Sequence, residues 1–184
     1  MFSNLVIQKI FMKLLFFAVS LSLLFSCNSN NNNSDIKNVM PDEAAIKAAV
    51  DSAYAAISFT NGKPPDTNRI KKYFIPQAQL INFIADTAQI LSISDFAKAY
   101  KNYIETTHIN YFFETEMFGR TDQFGNIAQR ISTYKTFINS PDVVSERGVN
   151  SFQLIKTPGG WRVSSIIWDV EDKSLPIPQY YLPK

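Results

Sequence analysis

Residues 147–172, RGVNSFQLIKTPGGWRVSSIIWDVED, decide how the rest of the chain is read. Pro158, Gly159 and Gly160 are turn chemistry between two runs rich in apolar and β-branched residues, which predicts a β-hairpin. Strand alternation sets Asn150, Phe152 and Leu154 against Ser151, Gln153 and Ile155. In the second run it separates Trp161, Val163, Ser165 and Ile167 from Arg162, Ser164, Ile166 and Trp168. Each face then mixes large apolar groups with small polar ones. A solvated face does not normally carry Ile166 and Trp168 together. The expectation is a sheet covered on both sides, by helices on one and by a second subunit or another element on the other. Asn150, Ser151, Gln153 and Trp168 become candidate ligand-binding residues; hydrogen bonding across the sheet is the plain alternative for the polar three.

Working outward, residues 109–122 (INYFFETEMFGRTD) and 126–139 (NIAQRISTYKTFIN) read as two further long strands, separated by the turn-rich QFGN and NSPDVVS. Upstream, Ile46, Val50, Ala53, Tyr54 and Ile57 recur at helical spacing behind Pro41, Asp42 and Glu43, which suit a helix start. NGKPP ends that helix. DTNRIKKYF, residues 66–74, predicts a short second helix with Asp66 as cap, finished before Pro76. AQLINFIA, residues 78–85, is a strand candidate. SISDFAKAYKNYIET, residues 92–106, predicts a third helix with Ser94 as cap and a stripe of Phe96, Tyr100, Tyr103 and Ile104. Helical pieces followed by an antiparallel meander give an α+β domain.

This order, with FGNIAQRISTYKTF (124–137), SERGVNSFQLIKTPGGWRVSSIIWD (145–169) and PIPQYY (176–181), resembles the nuclear transport factor 2-like superfamily and its SnoaL-like relatives over about residues 42–181. The resemblance implies a cone-shaped fold with three N-terminal helices packed on a curved antiparallel sheet, a pocket between the two layers, and frequent homodimers. It implies no activity, because the fold serves isomerases, cyclases, dehydratases, transport factors and plain binding modules.

The start of the chain makes a separate prediction. Lys9 and Lys13 precede an apolar run from Leu14 to Phe25, too short to span a bilayer comfortably and of the length of a secretory h-region. It ends in LLFSC, which resembles a bacterial lipobox, with Phe25 departing from the usual small residue. The resemblance implies a lipoprotein signal peptide at 1–26, acylation of Cys27 and anchoring in the cell envelope, on the periplasmic side of a membrane or at the cell surface; a free thiol beyond a membrane anchor is the alternative. Residues 27–40 then read as a polar Asn-rich tether, 41–172 as the domain and 173–184 as an extended, proline-rich tail. Without Lys9 and Lys13 the 18 basic residues become 16, matching the 16 acidic ones, so no basic stripe remains to attract nucleic acid.

Candidate chemistry is sparse. Glu114, Glu116 and Arg120 share one strand face with Phe112 and Phe118, and Arg130, Ser132 and Tyr134 share another. If the two faces coincide they form a polar pocket wall, with Glu116 as base and Arg130 and Tyr134 as ligand contacts; a cross-strand ion pair is the ordinary alternative. Tyr54, Tyr100, Tyr103 and Tyr134 are candidate donors, and Asp86, Glu114, Glu116 and Asp169 candidate carboxylates. His108, the sole histidine, sits at a helix-to-strand junction where a cationic ring is favoured for structural reasons alone, and is a further weak catalytic candidate. One His and one Cys offer no metal-ligand spacing, and no cofactor motif is present. The leading expectation is an envelope lipoprotein whose domain binds a hydrophobic small molecule and forms a homodimer. The alternatives are an isomerase-, cyclase- or dehydratase-like enzyme doing acid–base chemistry on a hydrophobic carbonyl compound, with Glu116 or Asp169 as base, and a protein-interaction module.

Overall fold

Helix α1 (Glu43–Ile57) buries Ile46, Val50, Ala53 and Tyr54, the stripe expected of a helix with one covered face. The computed structural model describes residues 42–60, 62–83 and 87–184, so the predicted signal segment, Cys27 and the tether lie outside the described residues, as does Asp86. Helix α2 (Thr67–Lys71) starts where predicted: the Asp66 carboxylate accepts from the backbone N–H groups of Asn68 and Arg69 at 2.7 and 2.8 Å. That satisfies two otherwise free donors of the first turn.

Strand β1 (Phe74–Asn82) begins before Pro76 rather than after it. Pro76 is tolerated because β2 pairs with β1 only from Gln79 onward, and the pairing of β1 with β6 is irregular between Phe74 and Gln79. Strand β2 (Gln89–Ser92) has no counterpart in the expected element order. It runs directly into helix α3 (Ile93–Thr106), so the cap is Ser92 and not Ser94. Ser92 Oγ accepts from Asp95 N at 3.1 Å and donates to the Asp95 carboxylate at 2.7 Å. No turn sequence separates strand from helix, which is why the boundary was misplaced.

The remaining strands are β3 (Phe112–Phe124), β4 (Ile127–Ile138), β5 (Glu146–Thr157) and β6 (Gly160–Val170). They complete a curved six-stranded sheet of order β2-β1-β6-β5-β4-β3. The expectation of an antiparallel sheet is corrected: β1 pairs with β6 in parallel, and the other neighbours are antiparallel. Parallel pairing needs a long crossover, and everything from β2 through β5 supplies it. The three helices also do not form a block ahead of the sheet, since β1 and β2 lie between α2 and α3.

Two bulges set which residues face the helices. In β3 the register passes from Glu116↔Tyr134 to Phe118↔Thr133, leaving Met117 as the extra residue. Beyond it Gly119 and Thr121 join the inner face, opposite Ser132 and Arg130, while Phe118 and Arg120 turn outward. In β6 the register passes from Leu154↔Val163 to Gln153↔Ser165, leaving Ser164 as the extra residue. The inner face of β6 is therefore Trp161, Val163, Ile166 and Trp168. The hairpin is not apolar on both sides; one extra residue shifts its phase. The inner face packs on the helices through Phe152, Leu154, Val163 and Leu80 against Ile46, Val50, Ile70, Ala97 and Ile104. On the outer face, Thr133 is fully buried and donates to the Tyr181 carbonyl at 2.6 Å, within a single 3-10 turn (Gln179–Tyr181) that follows β6.

Candidate functional site

A cavity of about 420 Å³ opens between α1, α3 and the inner sheet face. Helical spacing brings Tyr54 from α1 and Phe96, Tyr100 and Tyr103 from α3 to it, and alternation brings Phe112 and Glu114 from β3 and Tyr134 and Thr136 from β4. The β6 bulge is what swings Ile166 and Trp168 inward to the wall. Ring contacts run continuously along one side: Trp168 meets Phe96 edge-on at 6.2 Å, Phe96 lies parallel to Tyr100 at 6.1 Å, and Tyr100 meets Phe112 edge-on at 5.5 Å.

Glu114 is the deep ionisable group. It is half-buried and lines the cavity, and burial pushes its carboxyl from the ordinary 4.5 up to about 8. A hydrogen bond from Thr136 Oγ1 to Oε2, 2.9 Å, opposes that rise, and the charge of Glu146 adds to it. No described residue donates to the other oxygen, Oε1. Among the described residues the lining includes Glu146, exposed at the start of β5, and no Lys, Arg or His.

The three buried tyrosines of the wall all have hydrogen-bonded hydroxyls. Tyr134 donates to Glu146 Oε1 at 2.9 Å, and Tyr100 to the Ile57 carbonyl at 2.5 Å. Tyr54 lies 2.7 Å from Ser132 Oγ and accepts from Asn150 Nδ2 at 2.8 Å. Burial, reinforced by nearby carboxylate charge, holds all three phenols well above their ordinary range.

The candidate residues divide accordingly. Tyr134, Asn150 and Trp168 line the cavity. Arg130 and Glu116 face the same side of the sheet but form a separate, closed cluster. Arg130 donates from Nε to Glu116 Oε2 at 2.9 Å, from Nη2 to Oε1 at 2.6 Å and from Nη1 to Thr121 at 2.5 Å. Burial raises the Glu116 carboxyl, but the hydrogen bonds of Arg130 and Ser132 outweigh it and hold the group below its ordinary range. Ser151 and Gln153 sit on the outer face, where Gln129 donates to Ser151 at 3.3 Å. Asp169 is exposed there and accepts from the backbone N–H of Val170. His108 is exposed at φ 54°, the left-handed residue that ends α3, while Ile109 N bonds the Ile104 carbonyl at 3.1 Å. Its position is that of a helix terminator. Glu114 was one of several candidate carboxylates, and Glu146 was missed, although the alternation Glu146, Gly148, Asn150, Phe152, Leu154 places it on the cavity side. Among the described residues no group of three or more His, Cys, Asp or Glu could hold a metal ion.

No family model matches the chain, and no curated protein matches its sequence. Solved structures do. A Shewanella baltica nuclear transport factor 2-like protein of unknown function superposes with a TM-score of 0.52 at 19% identity, covering 73% of this chain and 98% of its own. A Nostoc punctiforme protein of unknown function with a cystatin-like fold gives 0.58 at 14%, covering 74% and 95%. A Streptomyces avermitilis protein, provisionally described as a dehydratase of the nuclear transport factor 2-like family, gives 0.57 at 13%, covering 72% and 98%. Likeness at this identity carries architecture and not chemistry: the chain has a nuclear transport factor 2-like α+β fold.

Proposed function

We propose that the domain binds a small, largely apolar organic molecule in the cavity between α1, α3 and the inner sheet face. The observation that carries this reading is the cavity itself, about 420 Å³ with a mostly aromatic and aliphatic wall and one deep carboxyl. Small-molecule sites fall at roughly 300–1,000 Å³ and combine such walls with a few convergent polar groups. A core with only a packing role would be filled to crystal-like density. Native mass spectrometry of the purified protein should show a retained small molecule or uptake from a panel of aromatic compounds. Ala53→Phe, which puts a ring into the cavity beside Tyr54, should abolish both; undiminished uptake by that variant would sink the assignment to this cavity.

A second reading, acid–base catalysis on a hydrophobic carbonyl compound, is favoured by Glu114 with its carboxyl near 8, in place of the expected Glu116 or Asp169. The hydroxyls of Tyr100 and Tyr134 weigh against it, since both already donate, to the Ile57 carbonyl and to Glu146. The envelope setting belongs to the same proposal: Cys27 carries lipid and the outer sheet face pairs with a second copy. The lipobox-like LLFSC and the exposed apolar Ile127 and Ile167 on that face support it. Palmitate label should enter the wild type and be lost in Cys27→Ala, and sedimentation should give a dimer; unlabelled wild type or a monomer at high concentration overturns the respective part.

A further inference from the structure

Glu114 is a half-buried acid to which no described residue supplies a counter-charge. Among the described residues the only hydrogen bond to its carboxyl comes from Thr136 to Oε2, the charge acting on it is that of another carboxylate, Glu146, and no basic side chain lines the cavity. Buried carboxyls are ordinarily paired, and an unpaired one shifts toward its neutral form instead. The pair a few residues further along β3 and β4 shows the ordinary solution: Glu116 holds the guanidinium of Arg130 through two hydrogen bonds. Glu114 has no such partner among the described residues and lines a cavity large enough for a ligand.

The walls of that space fit one kind of partner. Trp168, Phe96, Tyr100 and Phe112 make a continuous aromatic side, and ring faces attract cations. Tyr100 and Tyr134 already donate to the Ile57 carbonyl and to Glu146, and the Tyr54 hydroxyl is held by Ser132 and Asn150, so these groups offer little to an anion. Resting on the reading of this cavity as a small-molecule site, we propose that its ligand class is the hydrophobic amine, bound as an ammonium that donates to Glu114 Oε1 while its apolar body lies along the aromatic side. Glu146, exposed at the start of β5 with its Oε1 held by Tyr134, adds a second negative charge that draws the cation in.

The association has a proton signature. At pH 7 a carboxyl that titrates at about 8 is roughly nine-tenths protonated, and an ammonium at Oε1 requires it ionised. Binding therefore releases close to one proton from Glu114, and affinity rises tenfold per pH unit at most as pH approaches 8. The titratable groups that line the cavity with Glu114 are Tyr54 on α1, Tyr100 and Tyr103 on α3, Tyr134 on β4 and Glu146 on β5. Tyr54, Tyr100 and Tyr134 are held well above this range, and Glu114→Gln identifies the source of the proton.

The test uses three probes of similar shape on the full-length protein: 4-phenylbutylamine, 4-phenylbutan-2-one and 4-phenylbutyrate. Titration calorimetry at pH 7 and 8, in buffers of different ionisation enthalpy, reads affinity and proton release together. The expected result is an amine at least tenfold tighter than the ketone at pH 8, no detectable carboxylate binding, and roughly 0.9 proton released by the amine at pH 7. Glu114→Gln should bring the amine-to-ketone ratio near one and abolish proton release, and Glu146→Gln should lower the ratio by a smaller factor. A ketone or carboxylate that matches the amine, or amine binding without proton release, overturns the amine assignment and leaves the pocket standing. If none of the three binds, the pocket reading falls as well.

Discussion

Replacing Glu114 by Gln should stabilise the protein at alkaline pH and remove most of its pH dependence there. In the unfolded chain the Glu114 carboxyl loses its proton near 4.5, whereas in the folded protein it keeps it until about 8. Between those values the folded state binds more protons than the unfolded one, so stability falls as pH rises. Below about 4.5 both states are protonated and Glu114 contributes nothing; above about 8 the whole penalty of a half-buried, unpaired carboxylate is present. The gap of about 3.5 between the two values, at ~1.4 kcal/mol for each, sets a penalty on the order of 5 kcal/mol at pH 9 and about half of it near pH 6. Gln keeps the shape and can still accept from Thr136 Oγ1, but carries no charge. Urea denaturation followed by tryptophan emission at pH 5 to 9 measures this directly, because Trp161 and Trp168 both lie on the inner face of β6. The two proteins should be within about 1 kcal/mol at pH 5, and the variant should pull ahead by several kcal/mol at pH 9. Parallel curves across the range, or a variant that is weaker at pH 9, would refute the claim that Glu114 is held without a counter-charge.

Other perturbations test the surrounding scaffold. Arg130 and Glu116 are 4% and 7% exposed, so Glu116→Leu alone strands a buried guanidinium and should cost about 3–5 kcal/mol in denaturant, while Glu116→Leu with Arg130→Met should recover most of the loss. A Cβ on Gly148 would stand 2.4 Å from the Asp169 carbonyl and 2.6 Å from the Tyr134 hydroxyl, so Gly148→Ala should cost about 1–3 kcal/mol in urea melts and displace Tyr134 from Glu146. His108 adopts φ 54° at the end of α3 and is exposed, so His108→Gly should raise stability by about 0.5–1 kcal/mol; a loss of more than that would mean the imidazole has a role beyond ending the helix.

Much of the fold was legible because periodicity survives wherever the chain is regular. The stripes of α1 and α3 and the strands either side of TPGG follow it, and Asp66 caps α2 as its position ahead of the helix suggested. What was lost was lost at single residues. A bulge has no side-chain signature: Ser164 looks like any other strand serine, yet it moves Ile166 and Trp168 from one face of β6 to the other. Unbulged alternation makes a one-sided hairpin look two-sided and sets Ser151 and Gln153, which lie on the outer face, on the same side as Trp168. The bulge at Met117 acts the same way on β3 and explains the cluster that most resembled a catalytic site. Unbulged alternation would set Phe118 and Arg120 against the helices; the extra residue sets Gly119 and Thr121 there instead. A Cβ at position 119 would lie 2.3 Å from Arg130 Nη2 and 2.6 Å from Glu116 Oε1, so only glycine leaves room for the guanidinium to fold flat onto its carboxylate. Thr121, arriving opposite Arg130, takes the remaining Nη1. The bulge therefore completes the Arg130–Glu116 pair as a closed structural unit, and the carboxylate that stays unpaired is Glu114, two residues earlier, on the stretch of strand the bulge does not shift.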